Sequence, residues 1–164
     1  MRSMILGFAA VALMVGSSAQ GIKAQENPVD VQTAASLMAQ AKTLIAKAKA
    51  SPDGLAVATL ETYPNHLTML IARVKDGGAE VHANVSDWLI IEDGEAVLMS
   101  GGKVIGGKET APGETRGTKV EGGTAHPLHK GDAVHIVPGV PHQMLVRGAK
   151  PLIYYVVKVT SPGK

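Results

Sequence analysis

The sequence predicts one all-β domain, a sandwich or a barrel, preceded by a single amphipathic helix. The chain has 164 residues, a length that suits one domain. From Leu55 onward the sequence consists of short β-type runs, most of them separated by glycine or proline. Short strands with no helix pattern between them are typical of sandwiches and barrels rather than of parallel α/β sheets.

These runs predict ten strands. They are residues 55–61, 67–74, 79–84, 88–91, 96–100, 103–105, 118–120, 133–137, 143–146 and 153–159. Turn signals such as Asp93-Gly94 and Pro138-Gly139 stand between them. Residues 106–117, with the sequence GGKETAPGETRG, are polar and rich in glycine, so we interpret this segment as a long surface loop.

Residues 30–50 carry the helical pattern. Apolar side chains, among them Leu37, Ala41 and Leu44, recur at the spacing of one helix face, and lysines occupy the other face. Asp30 is the predicted N-cap, and a Pro-Asp-Gly turn ends the helix. A single apolar stripe favours packing of the helix on its own domain, and a dimer contact is the alternative.

Residues 1–19 have the order of a secretory signal peptide. Arg2 precedes an apolar run, and small residues lead to Ala19, where we predict cleavage. The run is shorter than the roughly 20 apolar residues of a membrane span, so an uncleaved anchor is the less favoured alternative. We expect a periplasmic or secreted protein that has no membrane attachment after cleavage. Residues 20–54 would form its N-terminal segment and residues 55–164 its β-domain.

Composition excludes several classes of function. The formal net charge is +2, from 16 basic and 14 acidic residues with histidine neutral, and no like-charge run suggests nucleic-acid binding. The sequence has no cysteine, which excludes disulfides, thiolate nucleophiles and sulfur-ligated zinc. A bound metal would therefore be held by histidine nitrogens and by carboxylate or amide oxygens.

The segment HANVSDWLIIEDG, residues 82–94, carries three candidate site residues. His82 and Asn84 lie two residues apart, so on a strand they project to the same face. Asp87 follows across a tight bend. Polar groups that point into the core of a β-domain are costly unless they are paired or bound to something, so these residues are candidates for a site.

The segment GDAVHIVPGVPH, residues 131–142, ends in His142 after a Pro-Gly turn. Together the two segments resemble the motifs of the cupin superfamily. The first motif of that family reads His, any residue, His, three or four residues, Glu, six residues, Gly. In the resemblance His82 takes the place of the first histidine, Asn84 that of the second and Asp87 that of the glutamate. His142 takes the place of the final histidine of the second motif.

The resemblance implies a cupin-type jelly-roll β-barrel and a homodimer. It also implies a divalent metal, iron, manganese, nickel or zinc, held by His82, Asp87, His142 and Asn84. Two histidines and one carboxylate form a facial triad that suits non-haem iron. The catalytic residues are left open. Asn84 and His135 are candidates for placing a substrate or moving protons, although we favour a half-buried or rim position for His135.

Three functions are compatible with these residues. The first is an exported metal-dependent oxygenase, isomerase or lyase that acts on a small oxygenated molecule. The second is a non-catalytic module that binds a small-molecule ligand, such as a sugar or a small acid, at a degenerate metal site. The third is a structural, dimer-forming domain with a vestigial pocket. Elemental analysis of bound metal tests the first function, and dimerisation after deletion of residues 20–50 tests whether the helix forms the contact in the third.

Overall fold

A computed structural model describes residues 29–161, and the predicted signal peptide lies outside this range. The described helix and thirteen strands belong to one compact unit. They are α1 (Ala34–Ala50), β1 (Leu55–Thr62), β2 (His66–Arg73), β3 (Ala79–His82), β4 (Val85–Asp93), β5 (Glu95–Ser100), β6 (Lys103–Ile105), β7 (Lys108–Ala111), β8 (Glu114–Gly117), β9 (Lys119–Glu121), β10 (Thr124–Leu128), β11 (Ala133–Ile136), β12 (His142–Arg147) and β13 (Leu152–Thr160).

Two antiparallel sheets enclose the main core. One has five strands in the order β1-β2-β13-β4-β11, and the other has six in the order β10-β5-β12-β3-β8-β7. The strands β6 and β9 form a separate ribbon. Apolar side chains from both sheets pack in one cluster, which includes Ile71, Leu89, Leu98, Met144 and Val156. The predicted all-β architecture is confirmed.

The strands β13 and β4 lie side by side in the five-stranded sheet and turn alternate residues toward the core. Tyr154 and Val156 of β13 belong to the core cluster, and Lys158 follows on the same face. On β4, Leu89 belongs to the cluster, and Asp87 shares its face. Lys158 and Asp87 are also paired residues across the two strands. The alternation therefore leaves two charged side chains at one end of the core.

The N-cap of the helix lies three residues after the predicted one. Thr33 has an extended backbone and its side-chain oxygen accepts a hydrogen bond of 3.1 Å from the N–H of Ser36. Threonine at this position satisfies one of the free N–H groups of the first turn. The prediction of Asp30 as the N-cap is therefore wrong, and α1 begins at Ala34.

The apolar face of α1 packs on the outer face of the five-stranded sheet. Leu37 and Leu44 of the helix lie in one cluster with Leu70, Ala72 and Ile153, which alternate with the inward-facing residues of β2 and β13. This packing within the chain agrees with the favoured interpretation of the helix. Among residues 29–161, no helix combines the length and the apolar character that a membrane crossing requires.

The prediction of a surface loop at residues 106–117 is wrong. The strands β7 and β8 form a hairpin there, and β8 pairs antiparallel with β3. The hairpin lies at the edge of its sheet and all four β7 residues are exposed, so no apolar alternation marks it in the sequence. The unpredicted strand β10 lies at the other edge and contains Pro127, which an edge strand tolerates.

Candidate metal centre

Three polar side chains of the six-stranded sheet gather at one end of the core. Glu80 of β3 and His142 of β12 are paired across the two strands, and His82 shares the face of Glu80. The turn before β12 is tied to the end of β3, because the N–H of Gly139 donates to the carbonyl of His82 at 2.7 Å. Gly139 has a φ of +82°, a conformation that glycine adopts without strain. This turn delivers His142 to a ring-centroid distance of 5.2 Å from His82.

The five-stranded sheet brings the paired residues Asp87 and Lys158 to the same place. Oδ2 of Asp87 lies 3.3 Å from Nε2 of His82 and 3.8 Å from Nε2 of His142. Oε2 of Glu80 lies 3.4 Å and 4.0 Å from the same two nitrogens. Two imidazole nitrogens of the six-stranded sheet therefore converge with two carboxylates, of which each sheet supplies one.

Both imidazole rings are oriented through the nitrogen that faces away from this centre. Nδ1 of His82 lies 2.7 Å and 2.8 Å from the two carboxylate oxygens of Glu114. Nδ1 of His142 lies 3.0 Å from the carbonyl oxygen of Val140. A partner that accepts from one ring nitrogen fixes the tautomer and turns the other nitrogen toward the centre, as in protein sites where histidine binds a metal.

The side chain of Lys158 reaches into the same centre. Its Nζ lies 2.8 Å from each carboxylate oxygen of Asp87 and 2.9 Å from Nε2 of His82. The three N–H bonds of an ammonium group match these three acceptors. A cation therefore already neutralises Asp87, and the side chain of Lys158 is only 23% exposed.

Burial and neighbouring charges shift the pKa values in opposite directions. Burial disfavours the ionised form of Glu80, but hydrogen bonding to His82 and the charge of Arg116 lower its pKa to about 2. Burial likewise opposes ionisation of Asp87, whose pKa is lowered by His82 and Lys158. Both carboxyl groups are therefore ionised at neutral pH.

The two histidines differ in their pKa shifts. Burial lowers the pKa of His142. Burial also opposes a charge on His82, but hydrogen bonds to Asp87 and Glu80 raise its pKa to about 9. A proton on Nε2 of His82 excludes a hydrogen bond donated by Lys158, since only one proton can lie between the two nitrogens. The raised pKa describes the protonated ring, which donates to the carboxylates, whereas the 2.9 Å contact with Nζ of Lys158 is a hydrogen bond in the neutral ring, the form that binds a metal.

The donor set fits a divalent metal ion. One ligand atom from each of Glu80, His82 and His142 lies within 4.8 Å of the other two, so these residues could hold a metal. Two histidines and one carboxylate are a set that iron, manganese, nickel and zinc accept. The carboxylate of this set is Glu80. Both oxygens of Asp87 accept hydrogen bonds from Lys158 in the metal-free protein.

A cavity of about 150 Å³ adjoins the cluster. Its polar wall includes Arg73, whose Nε donates to the hydroxyl of Tyr154 at 2.9 Å, and Arg116 of the β7–β8 hairpin. Its apolar wall is formed by residues of both sheets: Leu55, Val57, Met69, Ile71, Leu89, Leu98, Met144 and Val156. A cavity of roughly this size can accommodate a molecule as large as benzene.

Of the residues predicted from the sequence, the structure brings His82, Asp87 and His142 together. Asn84 is not with them. It is exposed in the turn between β3 and β4, where its carbonyl accepts a hydrogen bond of 2.8 Å from the N–H of Ser161. Because β3 ends at His82, the alternation that would have turned Asn84 toward the core stops before it. Asn84 is therefore removed from the donor set.

His135 lies on the opposite side of the five-stranded sheet. It is exposed and its ring stacks on Trp88, with 4.1 Å between the ring centroids and 8° between the planes. The next residue, Ile136, belongs to the core. The alternation of β11 thus turns His135 away from the cluster, and its side chain cannot contact a ligand between the sheets.

Four residues around the centre were not predicted: Glu80, Glu114, Arg116 and Lys158. A signal for Glu80 exists, because the family motif also fits when it begins two residues earlier. Glu80, one residue, His82, four residues, Asp87, six residues and Gly94 then follow the motif spacing throughout. Glu114 and Arg116 lie in the segment interpreted as a loop, and no pattern in the sequence connects Lys158 to the centre.

Comparisons with known proteins identify similar folds. Neither a model of a protein family nor a curated protein matches this chain. A solved structure from Klebsiella pneumoniae, an uncharacterized conserved protein with a double-stranded beta-helix domain, has a TM-score of 0.52 and 16% identity, over 70% of this chain and 79% of that one. A protein from Bacillus halodurans has a TM-score of 0.53 and 15% identity, over 85% and 86% of the two chains.

A third similar structure is the cupin domain of Cnp3 from Schizosaccharomyces pombe. Its TM-score is 0.51 and its identity is 11%, over 65% of each chain. The low identities mean that the likeness concerns the fold, and the predicted jelly-roll of the cupin type is confirmed at that level.

Proposed function

We propose that this chain, which has the cupin fold, binds a divalent metal ion through Glu80, His82 and His142 and receives a small oxygenated molecule in the adjoining cavity. The observation that carries the proposal is the orientation of the two imidazole rings. Each Nδ1 is held by an acceptor, Glu114 or Val140, and each Nε2 faces carboxylate oxygens across the centre. A purely structural histidine pair needs no such convergence of donors.

The charge of the cluster favours an anionic ligand. Three cationic side chains face three carboxylates when both histidines are neutral: Arg73, Arg116 and Lys158 against Glu80, Asp87 and Glu114. A divalent ion would add two positive charges to this balanced set. A small acid would restore part of the balance, and the cavity admits a molecule of about six non-hydrogen atoms.

Arg73 is the residue that we expect to hold such an acid. It is 7% exposed, and its ion pair with Glu80 is 3.8 Å long, beyond hydrogen-bond distance. Its hydrogen bond to Tyr154 fixes one edge of the guanidinium. A planar carboxylate could pair with the remaining N–H donors in a bidentate arrangement.

The metal would act as a Lewis acid that polarises an oxygen of the ligand. The surrounding residues would orient the ligand and exclude water, and an oxygenase, isomerase or lyase activity at this site stays a prediction. A non-catalytic module for a small acid is the second candidate, and Lys158 favours it. A site whose centre is filled by an ammonium group can bind an acid without any metal.

The test measures metal in the purified protein. The chain is isolated without chelating resin, stripped with a chelator, and reconstituted with Fe²⁺, Mn²⁺, Ni²⁺ or Zn²⁺ before elemental analysis. We expect about one ion per chain, and less than roughly a tenth of that in His142→Ala, which loses a ligand. The matched control is His129→Ala, whose side chain is 67% exposed and distant in the fold. A wild-type protein that stays empty with all four ions, or a His142→Ala variant that keeps its metal, contradicts the proposal.

Export and self-association are further parts of the proposal. We expect cleavage after Ala19, which N-terminal sequencing of the protein from the extracytoplasmic fraction would check. We also expect a homodimer, to be measured by light scattering during gel filtration. Because α1 packs on its own sheet through Leu37 and Leu44, the dimer contact is expected to lie elsewhere than on that face of the helix.

A further inference from the structure

The position of Lys158 suggests a role that the metal proposal alone does not contain. Lys158 is paired with Asp87 across β13 and β4, so the backbone places its side chain directly beside this carboxylate. Its Nζ contacts both oxygens of Asp87 and Nε2 of His82 at 2.8–2.9 Å. Of these three atoms, Nε2 of His82 belongs to the proposed metal set.

The ammonium and the metal compete for a single electron pair. In the neutral ring, Nε2 of His82 has one lone pair, which either accepts the hydrogen bond from Lys158 or binds a metal ion. Two cations a few ångströms apart in a buried site also repel each other strongly. Occupation by one cation therefore requires the other to leave.

We infer that Lys158 is a tethered cation that occupies the metal position, lowers the affinity of the site for metal, and is released into the cavity when a metal binds. This inference rests on the proposed metal centre and concerns its regulation. Lys158 lines the cavity, and its flexible four-carbon stem lets the released ammonium remain there, beside the place that a ligand would occupy. The metal-free protein keeps Asp87 neutralised, which an empty buried centre would not do.

The first experiment compares Co²⁺ binding by isothermal titration calorimetry in the wild type and in Lys158→Met. The methionine side chain is unbranched, is one atom shorter than that of lysine and carries no charge. We expect at least about a tenfold tighter dissociation constant in the variant, because no ammonium has to be displaced. Lys150→Met is the matched control, because it removes the same charge from a side chain that is 76% exposed and lies away from the centre. Its Co²⁺ affinity should equal that of the wild type.

The outcomes separate this inference from the proposed function. If the wild type binds Co²⁺ and Lys158→Met binds it equally or more weakly, the inference fails and the metal centre stands. If only Lys158→Met binds Co²⁺, the inference holds and the proposed function of the natural chain fails. If neither binds Co²⁺, both are wrong.

A second measurement uses the unaltered protein, so it remains decisive if Lys158→Met fails to fold. Lysine acetylation by a small reagent is followed by mass spectrometry with and without saturating Co²⁺. Three hydrogen bonds protect Lys158 in the metal-free protein, and we expect Co²⁺ to raise its acetylation rate several-fold while the rate at Lys150 is unchanged. An unchanged rate at Lys158 in Co²⁺-saturated protein overturns the inference.

Discussion

Asp87 and Trp88 are consecutive residues of β4, yet they belong to two regions with opposite chemistry. Asp87 faces the core, is 4% exposed and contacts His82 and Lys158. Trp88 faces solvent, is 47% exposed and stacks on His135. Each region contains histidine. The face of the strand, rather than the residue type, decides whether an imidazole meets charged donors or an aromatic ring.

The inner region is the charged cluster around Asp87 that includes Glu80, His82 and Lys158. Removal of one charge from this cluster leaves its partner unpaired. Except for Arg116, which is exposed, each ionised group there is buried or half-buried, and each has an oppositely charged or hydrogen-bonding partner. The outer region is a stack of two exposed rings, whose loss leaves the surrounding atoms in water. Truncation of a residue in the inner region should therefore lower the free energy of unfolding much more than truncation of one in the outer region.

The largest expected effect comes from Asp87→Ala. It leaves the ammonium of Lys158 without its carboxylate in a largely buried site, and breaking such a pair costs about 3 kcal/mol or more of unfolding free energy. Trp88→Ala, one residue away, should cost about 1 kcal/mol or less, because half of the ring is already in water. Urea denaturation of both variants measures the difference. Equal losses would mean that the inner cluster is not held by its charges.

A second prediction concerns acid stability of the metal-free protein. The pKa of Glu80 in the folded chain is about 2, against 4.5 for the free side chain. A carboxyl group with a lowered folded-state pKa stabilises the fold fully above pH 4.5, and this stabilisation is lost as the pH falls toward 2. The loss for Glu80 alone should be roughly 3 kcal/mol.

Denaturation midpoints between pH 5 and pH 2 test this, with Glu80→Gln as the comparison. The variant should show a shallower dependence on pH, since one of the titrating carboxyl groups is gone. Asp87, whose pKa is also lowered, should keep part of the slope. A slope that is the same in both proteins would mean that Glu80 does not contribute to the loss of stability in acid.

The sequence predicts the fold better than it predicts the inner region, for a physical reason. Strands such as β2 and β13 bury continuous runs of mostly apolar residues, because one face packs on the core and the other on α1, and such runs are visible in one sequence. The alternation of side chains along β3 places Glu80 with His82, so a motif alignment that begins at Glu80 would have found it. Lys158 differs, because its contact with Asp87 depends on the pairing of β13 with β4. These two strands are far apart in the sequence, so no local pattern predicts that they pair.

The hairpin of β7 and β8 was missed for a related reason. Its residues are polar and mostly exposed, so the segment has the composition of a loop. Pairing with β3 nevertheless brings Glu114 to Nδ1 of His82 and Arg116 to Glu80. A hairpin at a sheet edge needs no apolar face, and here its inner strand β8 supplies residues that orient the site.

The smallest expected effect comes from His135→Ala in the outer region. The exposed stack on Trp88 should contribute only about 0.5 kcal/mol, and the metal content after reconstitution should not change, because the ring lies across the sheet from His82 and His142. Trp88 is the one tryptophan of the chain, so its fluorescence reports on this stack alone and should change in the variant. Altered fluorescence with unchanged metal content would mean that the two faces of β4 act independently. A parallel loss of metal would show that the outer stack supports the inner cluster through the strand itself.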